Sequence, residues 1–291
     1  MITVTSLLLI FLSAVIHPLW NMLLKKSEDK VTFYLNIHLV FTALFSFVLF
    51  VYPVAGISAA GWLLVAFSAI AHFIYQIFLC RAYELGDMSL SYPIMRSSPV
   101  FVLILGVLFL GEKPSVAAIA GVLVVAFGAH VINQKELTLK AILTPIAHAN
   151  RLILAIAGLT AFSSACYSIV DKKGVLSMEP VLFFYLFFAL SGFLFLAYLL
   201  FFKEKRKRYF EVSKRDIFKV TLASILEFSS YILILYAFRI SKVAYVVALR
   251  QLSVVFGAAY GIWFLKEDYG RVRLAGSIII FIGMFLITVF G

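Results

Sequence analysis

The stretch "SYPIMRSSPVFVLILGVLFLGEK", residues 91 to 113, is apolar enough to cross a lipid bilayer, yet it carries Arg96. A guanidinium there can scarcely be hydrated from bulk water, so it needs a partner or a water-filled cavity. A second stretch, "VVALRQLSVVFGAAYGIWFLKED", residues 246 to 268, has the same build and contains Arg250. The reading of this pair decides the fold.

Composition sets the solvent. The 291 residues are 64% apolar, 16% aromatic and only 13% charged, with a mean hydropathy of +1.06, whereas soluble domains carry roughly a quarter charged residues. A helical span needs about 20 mainly apolar residues. Ten such runs lie near 3–24, 31–53, 61–83, 88–110, 115–133, 151–172, 180–202, 215–238, 242–265 and 271–290. They fill nearly the whole length, so any activity is expected inside the membrane bundle. The opening run has no basic residue before it and no small-residue cleavage site after it, and reads as the first span. Cys80 and Cys166 fall within spans without metal-ligand spacing and predict neither a disulfide nor a metal site. The net charge of +11 is concentrated in loops, notably "KEKRKR" at 203–208, and points to lipid headgroups and topology rather than nucleic acid.

Shifting the chain by 155 residues overlays the quoted stretches. Leu110 and Glu112 then meet Leu265 and Glu267, Gly121 meets Gly276, and Gly128 meets Gly283. Elsewhere the register slips, since "WNMLLKK" at 20–26 best matches "YSIVDKK" at 167–173, and Arg96 and Arg250 miss each other by one position. The expected fold is all-α, ten transmembrane helices in two five-helix repeats, 1–140 and 141–291. An odd number of spans per half inverts the second repeat, as in many secondary transporters with a midplane site.

Five-plus-five spans, "SAVIHPLWNMLLKKSEDK" near the start, the Gly111-Glu112 pair before a glycine-bearing fifth span, and "FLKEDYGRVRLAGSIIIFIGMFLI" at the end resemble the EamA branch of the drug/metabolite transporter superfamily. Lys266 stands where the second half would repeat the glycine. The resemblance implies a secondary carrier of small metabolites in the cytoplasmic (inner) membrane, most often an exporter, whose central cavity is lined by the first four helices of each half. It leaves the substrate open among amino acids, quaternary amines, nucleotide sugars and sugar phosphates. It also implies both termini inside, whereas Lys and Arg crowd the loops after odd-numbered spans and place both termini outside.

Polar residues at helical spacing mark faces turned away from lipid. They are Ser13, His17, Trp20 and Asn21 in span 1; Ser68, His72, Tyr75 and Gln76 in span 3; and Tyr92, Arg96 and Pro99 in span 4. The second half adds Ser164, Tyr167, Ser168 and Asp171 in span 6, and Glu227, Ser230 and Tyr231 in span 8. Most serines are expected to bond the backbone one turn back. His17 and His72 suit either an interhelical bond or proton and substrate handling. Ser253, Gly257 and Gly261 read as a close-packing ridge, and the glycine-rich spans 5 and 10 as peripheral packing. Only Glu227 among the acids lies well inside a span, with Asp171 near a span end.

Two arginines therefore face one deep carboxylate. Either an arginine pairs with Glu227 and locks the halves, or a guanidinium is left to meet an anionic substrate group, for which its forked donors suit carboxylate, phosphonate or phosphate. The expected substrate site comprises Arg96, Arg250, His17, Trp20, Asn21, His72, Tyr75, Gln76, Tyr92, Tyr167, Ser168 and Tyr231. Glu227 and His72 are the candidates for proton coupling. A carrier of cationic or amphiphilic compounds, or a lipid flippase, is the alternative. No nucleotide-binding loop, HExxH pair, GxSxG elbow or paired-aspartate motif appears, which argues against a primary pump and an enzyme; no cofactor is expected.

Overall fold

The computed structural model of the chain describes residues 2–84, 94–132, 134, 136, 138, 151–201, 207, 217–265 and 271–290. Its regular elements, among the described residues, are all helices. They are α1 (Val4–Lys26), α2 (Lys30–Leu44), α3 (Val48–Val51), α4 (Ala59–Glu84), α5 (Ser98–Leu110), α6 (Val116–Val131), α7 (Arg151–Ser177), α8 (Pro180–Phe201), α9 (Ile217–Ile240), α10 (Val243–Leu249), α11 (Leu252–Leu265) and α12 (Arg271–Phe290). Six of them, α1, α4, α7, α8, α9 and α12, are individually long and apolar enough to cross a membrane.

Local chemistry sets the helix ends. Thr3 accepts from the Ser6 amide at 3.2 Å, Asp29 from the Thr32 amide at 3.0 Å and Ser115 from the Ala118 amide at 3.0 Å, each satisfying a donor that the first helical turn leaves open. Gly111 closes α5 with φ +63°, the left-handed conformation that favours glycine. That turn presents the Glu112 carboxylate to the start of α10, where it accepts the Val243 amide at 2.7 Å. The Gly-Glu pair thus ties the end of one apolar helix to the beginning of another. Burial raises the Glu112 pKa above its ordinary 4.5, an effect opposed by the Val243 and Ala244 amides and by Lys172 and Lys242.

Three runs read as continuous spans are interrupted. In the first, α2 ends at Leu44 and a turn precedes α3. The other two break at their arginines: Ile94 and Met95 are helical, Arg96 and Ser97 form a turn, and α5 follows; α10 ends at Leu249, Arg250 and Gln251 form a turn, and α11 follows. Pro99 lies in the first turn of α5, where a missing N–H costs nothing. No proline marks the second break. There the amides of Gln251, Ser253 and Val254 bond three residues back at 3.0, 3.0 and 2.9 Å, the tighter 3₁₀ pattern.

Helix pairing crosses the middle of the chain. α1 packs on α9 and α4 on α7; α1 also meets α11, and α5 meets α7; α8 lies against α2 and α4, and α9 against α2. The closest approach joins α6 to α12. A Cβ on Gly121 would stand 2.8 Å from the Gly283 carbonyl oxygen, and one on Gly128 would stand 2.8 Å from the Ile280 nitrogen and 3.0 Å from the Gly276 carbonyl oxygen. Gly121 therefore opposes Gly283 while Gly128 opposes Gly276, so the two helices run antiparallel. Small residues permit such backbone contact, and dispersion between the helices stabilises it where lipid offers no hydrophobic drive. Gly257 departs from the expected ridge, because a Cβ there would meet Pro18 at an ordinary 3.6 Å. Outward faces carry exposed apolar side chains such as Leu8, Phe67, Leu108, Phe193 and Phe285, while Phe41, Phe184, Phe188 and Phe228 pack in the interior, Phe184 and Phe228 with parallel rings 5.5 Å apart.

Candidate functional site

The two broken segments bring Arg96 and Arg250 to one cavity of about 60 Å³, which His17, Asn21, Tyr75, Tyr167 and Ser168 also line. A second cavity of about 30 Å³ shares His17, Tyr75, Tyr167 and Arg250 with it and adds Trp20, Tyr34, His72, Gln76, Glu227 and Tyr231. Every expected site residue lines one cavity or the other except Tyr92, which lies outside the described residues. Ser168 also bonds the Ser164 carbonyl at 2.8 Å, the backbone role expected of serines.

Arg250 and His17 define the junction of the two cavities. Arg250 Nη2 lies 3.1 Å from His17 Nδ1, and Trp20 Nε1 donates to the same nitrogen at 3.2 Å. Guanidinium and indole are both donors, so Nδ1 is the accepting nitrogen on that side of the ring, while Asn21 Nδ2 stands 3.0 Å from Nε2. The guanidinium also stands 5.2 Å from the Tyr231 ring centroid. Its Nε is buried without an acceptor, and no carboxylate among the described residues is within ion-pair distance.

The buried acids differ from expectation. Asp171 is not at a span end: α7 continues to Ser177 and the side chain is fully buried. It accepts Ser68 Oγ at 2.5 Å, pairs with His72 Nε2 at 2.9 Å and accepts the Tyr231 hydroxyl. His72 is held flat between Tyr167 and Phe187, with centroids at 4.0 and 4.6 Å. The helix continues past its charged "DKK" run because Lys172 reaches the Phe238 carbonyl and, at 3.0 Å, the Ser241 carbonyl at the C-terminal end of α9, where a cation is favoured.

Glu227 forms no ion pair with either arginine. Its Oε1 accepts from Tyr34 at 3.5 Å and its Oε2 has no partner, although the residue is only 7% exposed. Tyr34 escaped the sequence reading. Its four-residue spacing from His38 in the second span was the available signal, since both are buried on α2.

An apolar exterior around an interior with polar cavities and buried polar atoms lacking partners defines a multi-pass membrane protein. Residues 4–134 and 151–289 match the model of the EamA-like transporter family. The chain belongs to that family: it is a multi-pass membrane transporter of the secondary type, and not an enzyme. A solved crystal structure aligns over 98% of this chain and 96% of its own with a TM-score of 0.75 at 12% identity, a likeness of fold. No curated protein matches the chain significantly.

Proposed function

We propose that this transporter exports small polar metabolites bearing an anionic group across the inner membrane by alternating access. On this reading it uses ten spans arranged as two inverted repeats, 1–140 and 141–291. The swapped pairings support the repeat: α1 on α9 is matched by α7 on α4, and α1 on α11 by α7 on α5. The antiparallel glycine seam is what equivalent helices make across a twofold axis, since the 155-residue shift carries the Gly121–Gly283 contact onto Gly276–Gly128. Discontinuous helices with their polar residues at the break are the recurrent carrier solution for a site in the bilayer.

The observation that carries the anionic reading is Arg250, half-buried at a helix break with its Nε enclosed, lining the cavity beside Arg96, with donor capacity and no acid to use it. An anion entering the cavity supplies the missing acceptor. Of the two coupling candidates, Glu227 is favoured, because His72 is already engaged by Asp171. The test is binding of carboxylate, phosphonate and phosphate probes to purified protein. Arg250→Lys and Arg96→Lys keep the charge but lose the fork, and should weaken binding roughly 10- to 100-fold. Tight binding of a neutral or purely cationic ligand, with affinity unaltered in both variants, would show that the arginines only hold the bundle.

A further inference from the structure

The larger cavity lies at one end of a packed helix pair, and a two-way contact closes the other end. Val247, Arg250 and Gln251 bring the C-terminal end of α10 to that cavity, while Met95, Arg96 and Ser98 bring the start of α5. From there the two helices pack against each other in opposite directions until Glu112 accepts the Val243 amide at 2.7 Å. Lys242 returns the contact, donating to the Lys113 carbonyl at 2.8 Å. Each pair of neighbours thus contributes one charged side chain and one backbone group. We propose that Glu112 and Lys242 form a releasable clasp that shuts one end of the cavity, with α10 as the lever joining that clasp to Arg250. This rests on the alternating-access reading above and is independent of its anionic substrate.

Position is the first ground. All seven residues of α10 are buried, and at 1.5 Å per residue the helix is about 10 Å long. That length of packed helix separates the cavity from the clasp, so a solute leaving by this end needs α5 and α10 to part. They belong to different segments of the family match, 4–134 and 151–289, and alternating access moves one such block against the other.

The build of the contact gives the second ground. Gly106 leaves room for the folded-back carboxylate, since a Cβ there would stand 3.2 Å from Glu112 Oε2 and 3.4 Å from Val243 Cγ1. Glu112 and Lys242 are both half-buried, so water can take over their bonds on release and no bare charge is left inside. Two neighbouring ties, Lys172 to the Phe238 and Ser241 carbonyls and Arg239 to Glu179, stay within the second segment and do not hold α5 to α10.

The far end of α10 gives the third. The Arg250 amide bonds the Val246 carbonyl at 2.9 Å, so the backbone of Arg250 turns with α10. Just beyond, Gln251 Oε1 and Ser253 Oγ are buried and find no partner among the described residues. The joint is under-bonded, and α10 can swing about it with Arg250 at its tip. Whatever fills the cavity beside Arg250 then acts on the clasp through one short rod.

The experiment is sided labelling of full-length protein in vesicles, with Cys80 and Cys166 replaced by alanine and Val247→Cys as the cavity reporter. A membrane-impermeant maleimide is applied either to the face bearing Glu112 and Lys242 or to the opposite face. Glu112→Ala and, independently, Lys242→Met should raise labelling from the clasp face roughly 10-fold or more, the equilibrium shift for one charge-assisted bond, and lower it from the opposite face. Arg239→Gln cuts only the neighbouring tie and should change neither rate. A rise from both faces, or an equal rise in Arg239→Gln, shows a loosened bundle and overturns the clasp. Labelling from both faces in the parent, unmoved by either clasp variant, overturns the clasp and leaves alternating access intact. Labelling from one face alone in the parent and in both variants defeats alternating access as well.

Discussion

Asp171 accepts hydrogen bonds from Ser68, His72 and Tyr231, whereas Glu227, four residues before Tyr231 on α9, accepts one 3.5 Å bond from Tyr34 and leaves its second oxygen bare. Both carboxylates are buried in the same bundle. The first joins α4, α7 and α9 at one point, and moving those helices apart would strip several buried polar groups at once. The second faces a cavity and can change partner without dismantling anything. Saturation marks the acid that holds the scaffold, and deficit marks the acid available to a solute or a proton.

The comparison breaks most visibly at Asp171. Asp171→Leu removes the shared acceptor of three buried donors and should cost about 3 to 5 kcal/mol, the range for breaking a buried pair, read as a large fall in thermal unfolding temperature in detergent. A variant that unfolds at the wild-type temperature but no longer transports would place Asp171 in the transport machinery and dissolve the distinction.

Tyr231 touches both regions, since its hydroxyl bonds Asp171 while its ring faces Arg250. Tyr231→Phe deletes the first contact and keeps the second. It should lose about 1.5 to 3 kcal/mol of stability, as for a hydrogen bond to a charged group, with binding of anionic probes unchanged. Loss of anion binding without loss of stability would show that the hydroxyl serves the cavity instead.

Which residues share the interior was legible in the sequence, because a bilayer permits polar side chains only on faces turned away from lipid, and helical spacing then groups them. His17, Asn21, His72, Gln76 and both arginines follow from that rule. The 155-residue shift picked out the glycines of the seam, read as peripheral packing, but not that the two helices carrying them face one another. Which acid is satisfied was not legible. The partners of Asp171 lie 99 and 103 residues away on α4 and 60 away on α9, and the lysine that lets α7 continue finds its carbonyls 66 and 69 residues on. The break at Arg250 was equally hidden, since no proline announces it and it depends on a local exchange of α-helical for 3₁₀ bonds.

Glu112 is a third carboxylate and sharpens the scale, for it is satisfied by backbone amides at a helix end. Glu112→Ala should cost about 0.5 to 2 kcal/mol, as for loss of an N-cap. Glu112→Gln keeps an acceptor for Val243 and should cost less. Burial raises the folded pKa of Glu112 above the 4.5 of an ordinary glutamate, so the folded state retains a proton after the unfolded chain has released it. Stability should therefore fall as pH rises from near 4.5 through the raised folded pKa, and level off above it. Subtracting the unfolding temperatures of Glu112→Gln from those of wild type across that window isolates the contribution; a difference that grows with pH in the wild type's favour would reverse the sign and contradict it.

The smallest expected effect on stability belongs to Glu227, and its smallness is what the comparison requires. A single hydrogen bond at 3.5 Å lies at the edge of useful geometry, and glutamine retains an acceptor for Tyr34, so Glu227→Gln should change unfolding by less than about 0.5 kcal/mol. Transport should respond otherwise. If this acid exchanges a proton during the cycle, wild-type flux in proteoliposomes will follow an imposed pH gradient, and the variant, which cannot titrate at that position, will lose the dependence while remaining folded. A wild type indifferent to the gradient, together with a variant that loses only stability, would make Glu227 a second scaffold acid whose partner is simply weak. The difference between the two carboxylates would then be one of degree, and the unfilled oxygen would no longer point to the path of the solute.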